Sequence, residues 1–159
     1  MTLLLSIDPG VRTAAALWYE GQLVHAQLFG GEGGQVHTCL EPVPAIVHVA
    51  NTLALDTVVI EKPKIYDAQH QKGDQRDIVD LAVLVGALTQ ALAPYTQAIL
   101  HVEPWQWKGQ TPKSVTEARA RAALSSDELA AVDLPRAEKL QHNVWDAIGI
   151  GLWRLGRMG

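Results

Sequence analysis

Residues 3–10 read Leu3-Leu4-Leu5-Ser6-Ile7-Asp8-Pro9-Gly10, and the organisation of the chain follows from them. A short run this apolar, stopped by turn residues, is the pattern of a strand buried on both faces. Pro9 has no N–H to donate and Gly10 favours a turn, so the strand cannot continue. A central strand is therefore predicted, with an acid, Asp8, at its carboxyl end. The run is too short for a signal peptide or a spanning helix, and no basic segment precedes it. A cytoplasmic protein without membrane association is expected.

The following segments build a sheet around that strand. Residues 14–18 and 23–29 are apolar runs separated by Tyr19-Glu20-Gly21-Gln22, which predicts a hairpin and, with the first strand, an antiparallel meander. Val43, Ile46, Val47, Ala50, Leu53 and Ala54 recur at helical spacing within residues 42–54. The β-branched run 57–60 enters Glu61-Lys62-Pro63 much as the first strand enters Asp-Pro-Gly. A long helix over residues 74–93, stopped by Pro94, and a strand over residues 98–102 come next. Thr111-Pro112 predicts a helix start with threonine at the cap and proline at the first position, and residues 137–155 form the last helix. Together these give a mixed α/β architecture: five strands, three in an antiparallel meander and two parallel, flanked by helices. This is the element order of the ribonuclease H-like fold.

At 159 residues and 17.3 kDa, with 48% hydrophobic and 19% charged residues, one domain over residues 1–159 with a sizeable core is expected. Cys39 is the single cysteine, which excludes a disulfide within the chain and any cysteine-based zinc cluster; it is expected in the core. Thirteen basic against seventeen acidic residues give a net charge of −4, which excludes coating nucleic acid by bulk positive charge. The charge is uneven, however. Residues 1–61 hold one basic and six acidic residues, residues 62–121 eight and six, and residues 122–159 four and five. Only the middle segment is net positive.

The strongest chemical signal is Asp8, Glu61 and Asp146, each embedded in apolar sequence. Taken singly, each has an ordinary reading: Asp8 as a turn residue, Glu61 and Asp146 as partners of Lys62 or Arg154. Taken together, they demand a counter-charge, because carboxylates beside buried elements are costly unless paired. If the first and fourth strands are parallel neighbours, Asp8 and Glu61 leave the sheet at the same edge and repel unless a cation neutralises them. Hard oxygen donors without thiolates favour Mg²⁺ or Mn²⁺, and the chemistry expected of two such ions is phosphodiester hydrolysis. On the last helix His142 and Asn143 precede Asp146 by four and three residues, so both reach the same region. Gly149 and Gly151 lower helix stability by roughly 1 kcal/mol each relative to alanine, and close backbone packing is their expected use. Leu140, Val144, Ala147, Ile148, Gly151 and Leu155 form the expected apolar stripe.

Three motifs, Ile7-Asp8-Pro9-Gly10, Val59-Ile60-Glu61 and Asp146-Ala147-Ile148-Gly149-Ile150, together resemble the RuvC-type Holliday-junction resolvases in order and spacing over nearly the whole chain. The resemblance implies a divalent-metal endonuclease that binds four-way DNA junctions as a homodimer and nicks two strands symmetrically. It also implies that Asp8, Glu61 and Asp146 are three members of an acidic catalytic set that holds two ions per active site, Mg²⁺ or Mn²⁺. The fourth position, normally Asp or His, is Asn143 here. Two candidates thus remain for the fourth ligand: His142, displaced by one residue, and Asn143 as a neutral oxygen donor.

Lys62, Lys64, Lys72 and Arg76 follow Glu61, while Lys108 and Lys113 follow the fifth strand. Both clusters lie beyond strand ends on the active side, where phosphate contacts would position DNA without reading its sequence. Tyr66, Trp105 and Trp107 are candidates for stacking on unpaired bases, with packing of loops onto the core as the plain alternative for the tryptophans. Between Ile78 and Leu88 the long helix is apolar on nearly every face, and pairing with a second copy would cover what the sheet does not. The alternatives are another nuclease of this fold, acting on flaps or RNA–DNA hybrids, and a non-catalytic junction-binding module.

Overall fold

The opening apolar run forms strand β1 (Leu3–Asp8); the computed structural model describes residues 2–30, 38–64 and 75–158. Strands β2 (Thr13–Tyr19) and β3 (Gln22–Phe29) follow, joined by a two-residue turn in which Glu20 and Gly21 have φ of 50° and 79°. Two positive φ values match the right-handed twist of the flanking strands, and glycine at the second position takes that conformation without strain. After helix α1 (Pro42–Asn51) come β4 (Leu55–Glu61), helix α2 (Gln75–Leu92) and β5 (Thr96–Val102). The sheet order is β3-β2-β1-β4-β5. The first three strands pair antiparallel, while β4 is parallel to both β1 and β5. This is the predicted mixed sheet of the ribonuclease H-like fold.

Alternation along each strand divides the core into two layers. On one face, Leu5, Ile7, Val58 and Ile60 pack with Ile46 and Ala50 of α1 and Leu84, Leu88 and Leu92 of α2. On the other, Leu4, Ala14, Ala16, Trp18, Val59 and Val102 pack with Ala120 of α4 (Lys113–Ala123) and with Val144, Ala147, Ile148, Ile150 and Leu152 of α6 (Glu138–Arg154). Helix α6 is buried on every side from Val144 to Leu152, more than the single stripe expected of it. Its glycines explain how it sits so close. A Cβ at Gly149 would come within 2.5 Å of the Trp107 ring, and one at Gly151 would overlap the Trp18 indole. Trp18 donates its Nε1–H to Ser6 Oγ at 3.0 Å, and Ser6 Oγ in turn donates to the carbonyl of Ala147 at 2.8 Å. The helix is thereby tied to β1 within two residues of Asp8.

Several expectations are corrected. Helix α4 starts at Lys113, because Pro112 has the extended ψ of 147° and stands outside the helix at the cap position; Thr111 is not the cap. Two short helices were not foreseen, α3 (Pro104–Trp107) and α5 (Ser126–Ala130). Cys39 is partly exposed rather than in the core. Helix α2 buries one face, and the rest of its apolar surface is left uncovered within the chain, in line with the expectation that the sheet covers only part of it. Val79 and Val83 are 61% and 49% exposed, and just 22% of the apolar window Arg76–Tyr95, which by length and composition alone could cross a membrane, is buried. Tyr66 and Lys72, together with Asp74 at the expected start of α2, lie outside the described residues.

Candidate active site

The parallel register Ile7↔Ile60 sets Asp8 and Glu61 side by side, each the last residue of its strand. Strand alternation turns both toward the face covered by α6, the same side as Ser6 and Val59. Asp146, buried on α6 next to the Ala147 carbonyl that Ser6 holds, approaches from above. The three acids therefore come from two adjacent strands and the helix packed over them.

The electrostatics of Asp8 and Glu61 reflect this crowding. Burial, then the neighbouring charges of Glu61 and Asp146, push the Asp8 carboxyl well above its usual range, against the opposing pull of Lys108 and Lys113. Burial also raises Glu61, partly offset by Lys108 and by the Trp107 hydrogen bond. Lys108 lies among them, its ammonium 3.3 Å from Asp146 Oδ2 and 3.8 Å from Glu61 Oε2. Burial works to lower its pKa, but Glu61, Asp146 and Asp8 outweigh it, and the net shift is upward. The chain thus partly neutralises its own acids.

The sequence offers Lys108 as a phosphate contact and Trp107 either for base stacking or for packing onto the core, and the structure turns both inward. Trp107 is 6% exposed and donates Nε1–H to Glu61 Oε2 at 2.5 Å, so it is not available for base stacking. The reason is local: α3 begins two residues after Val102, which pairs with Glu61, and one short helical turn carries Trp107 and Lys108 back over the strand ends. The signal that could have located α3 is Glu103-Pro104-Trp105-Gln106, in which Gln106 Oε1 accepts from the Glu103 N–H at 2.7 Å.

Trp105 stays on the surface, 54% exposed. Its Nε1–H donates to Glu103 Oε2, which lowers the Glu103 pKa, and Lys62 and Lys64 add to that shift. Lys62 and Lys64 lie 3.5 and 4.0 Å from Glu103, with Lys64 5.7 Å from the centre of the Trp105 ring. Glu103 was missed in the sequence as a member of this cluster. Lys113, exposed at the start of α4, is close enough to act on Asp8. Arg76 lies near the start of α2, beside Asp77, which lines one cavity with Gly10 and Val11 just beyond Asp8. His142 and Asn143 are partly buried on α6, one turn before Asp146.

A metal must be judged on the donors present. Among the described residues, no three His, Cys, Asp or Glu side chains are set close enough to hold a metal ion as they stand. The three crowded carboxylates nevertheless fit a hard divalent cation by charge and donor type, since each gains from positive charge at the point where they converge.

No protein-family model and no curated protein matches the chain. Solved structures do. The chain is similar to RuvC of T. thermophilus in complex with a Holliday-junction substrate, with 19% identity, a TM-score of 0.65 and coverage of 99% of this chain and 97% of that one. A second structure of Thermus thermophilus RuvC matches with 21% identity, a TM-score of 0.56 and 98% coverage of each chain. The yeast mitochondrial Holliday-junction resolvase matches at 10% identity and a TM-score of 0.54, over 99% of this chain and 80% of that one. With the strand order and the two-sided helical layers, these matches show that the chain has the ribonuclease H-like fold of the RuvC-type resolvases.

Proposed function

We propose that the chain is a divalent-metal-dependent endonuclease that resolves four-way DNA junctions. The observation that carries this reading is the convergence of Asp8, Glu61 and Asp146 at one end of the parallel strands, in a fold shared with a resolvase solved on its junction. Asp8, Glu61 and Asp146 would hold Mg²⁺ or Mn²⁺, with His142 or Asn143 completing the set from α6. Such ions, two per site, would activate water and stabilise the departing oxygen of the cleaved phosphodiester. The protein's own groups do the rest. Asp146 is buried, with Asp8 and Glu61 half-buried at the strand ends, and Lys108 supplies a fixed positive charge where phosphate charge develops.

Lys62, Lys64, Arg76 and Lys113 would grip backbone phosphates around the site. Exposed ion pairs such as those of Lys62 and Lys64 with Glu103 are worth about 0–1 kcal/mol, so phosphate competes with them readily. Trp105 offers an exposed ring for an unpaired base. The uncovered face of α2 would be closed by a second copy, placing two active sites on one junction.

A non-catalytic junction-binding module is the second reading, favoured by the placement of Lys108 between Glu61 and Asp146. Incubating the protein with a four-way junction, a linear duplex, a flap and an RNA–DNA hybrid in Mg²⁺ and in Mn²⁺ separates these possibilities. Preferential junction cleavage supports the proposal; junction binding with no cleavage in either metal supports the binding module.

A further inference from the structure

The indole of Trp107 sits behind the acid site rather than at its mouth. Its Nε1–H donates to Glu61 Oε2 at 2.5 Å, and the Lys108 ammonium lies 4.6 Å from the centre of its ring. The space the ring occupies exists because residue 149 is glycine, where a Cβ would meet Trp107 Cζ3 at 2.5 Å. An indole N–H is a donor only, so here it cannot compete for a cation and can only fix a carboxylate oxygen. Glu61 is the last residue of β4, and the indole N–H is the nearer of the two groups on its Oε2, the Lys108 ammonium standing at 3.8 Å.

We infer that Trp107 is a positioning residue: it holds the Glu61 carboxylate in a single orientation, and Gly149 is the socket that lets the ring reach it. The inference rests on the metal-nuclease reading above. Hydrogen-bond partners of metal ligands fix ligand orientation, and their loss typically lowers metal affinity about 10–100-fold. A ring that merely fills space would produce no such effect when replaced by a similar apolar ring.

The test uses the full chain labelled with ¹⁵N-tryptophan, whose five tryptophans give separate indole N–H signals. Trp107→Phe identifies the Trp107 signal by its disappearance. The signal is expected to move on Glu61→Gln and again on Mg²⁺ titration of the wild-type chain. Mn²⁺ affinity, measured by electron paramagnetic resonance, is expected to fall about tenfold in Trp107→Phe. If that variant does not fold, Trp107→Phe with Gly149→Ala replaces it, the added methyl filling space the shorter ring vacates. A Trp107 signal unmoved by Glu61→Gln, or wild-type Mn²⁺ affinity in the folded variant, overturns the positioning role alone. A wild-type chain that binds neither cation overturns the metal-nuclease reading and this inference with it, and the wild-type control identifies that case.

Discussion

Asp8 is the residue on which the site turns. Burial and two neighbouring carboxylates raise its pKa, so the folded state binds a proton there that the unfolded state does not. The stability this group contributes is therefore full below its unfolded pKa and is lost as pH rises through the folded value. Asp8→Asn removes that loss. In metal-free buffer at neutral pH its melting temperature is expected above that of the wild type, while Mg²⁺ raises the wild type and not the variant; calorimetry with and without Mg²⁺ checks both. Lys108 gives the opposite sign. Lys108→Met leaves Glu61 and Asp146 without their partner, and removing one member of a buried pair leaves an uncompensated charge. A lower metal-free melting temperature that Mg²⁺ partly restores is the expected result. The positions of Asp8 and Glu61 were legible because each ends an apolar run at a Pro-containing stop. The inward turn of Lys108 was not, since four residues of helix decide it and no periodicity exists over so short a span.

Helix α6 shows what local sequence conveys and what it omits. Its glycines marked close packing, but the surfaces they meet, the Trp18 and Trp107 rings, are distant in the chain and could not be paired with them in advance. Gly151→Ala tests the contact. Alanine favours the helix by about 1 kcal/mol, yet its methyl would displace Trp18 from its hydrogen bond to Ser6, and overpacking typically costs about 1–3 kcal/mol. Urea denaturation is expected to show net destabilisation; a gain would mean that Trp18 moves aside freely. Helix α2 carries the reverse lesson. Its composition showed that it needs more cover than one sheet face, and the structure leaves Val79 and Val83 in the open. Light scattering is expected to give a dimer for the wild type and a monomer for Val79→Glu with Val83→Glu, with helix content unchanged.

Across the whole molecule, a polar clasp joins parts that the sheet does not connect. Arg157 donates to both carboxylate oxygens of Glu128, at 2.6 and 2.9 Å, and to the carbonyls of Gly21 and Ala123. Glu128 also accepts from the N–H groups of Leu23 and Ser125. The Arg157 hydrogen bonds, helped by Ser125 and Leu23 and opposed by burial, lower the Glu128 pKa to about 2 from 4.5. A depressed carboxylate stabilises the fold above its unfolded pKa, so this contribution is lost as pH falls from about 4.5 through about 2. Because the Arg157 side chain is partly exposed, screening reduces the full shift to about 1–3 kcal/mol. Glu128→Gln is expected to lose that stability at pH 7 and to show a flatter acid limb in denaturation. The order of strands and helices along the chain, and the mixed pairing of the sheet, could be read from the sequence because strand and helix periods are distinct. The clasp could not, because Arg157 and Glu128 lie outside any strand and are 29 residues apart in the chain.

Cleavage of a four-way junction by the wild type and by Asp8→Asn, with binding measured on the same samples, bears most directly on the proposed activity. In Mg²⁺ the wild type is expected to nick two opposing strands of the junction and to spare a linear duplex of the same sequence, while Asp8→Asn binds the junction and leaves it uncut. A wild type that binds the junction without cutting it in Mg²⁺ or Mn²⁺, or an Asp8→Asn variant that cuts as well as the wild type, would contradict the proposal.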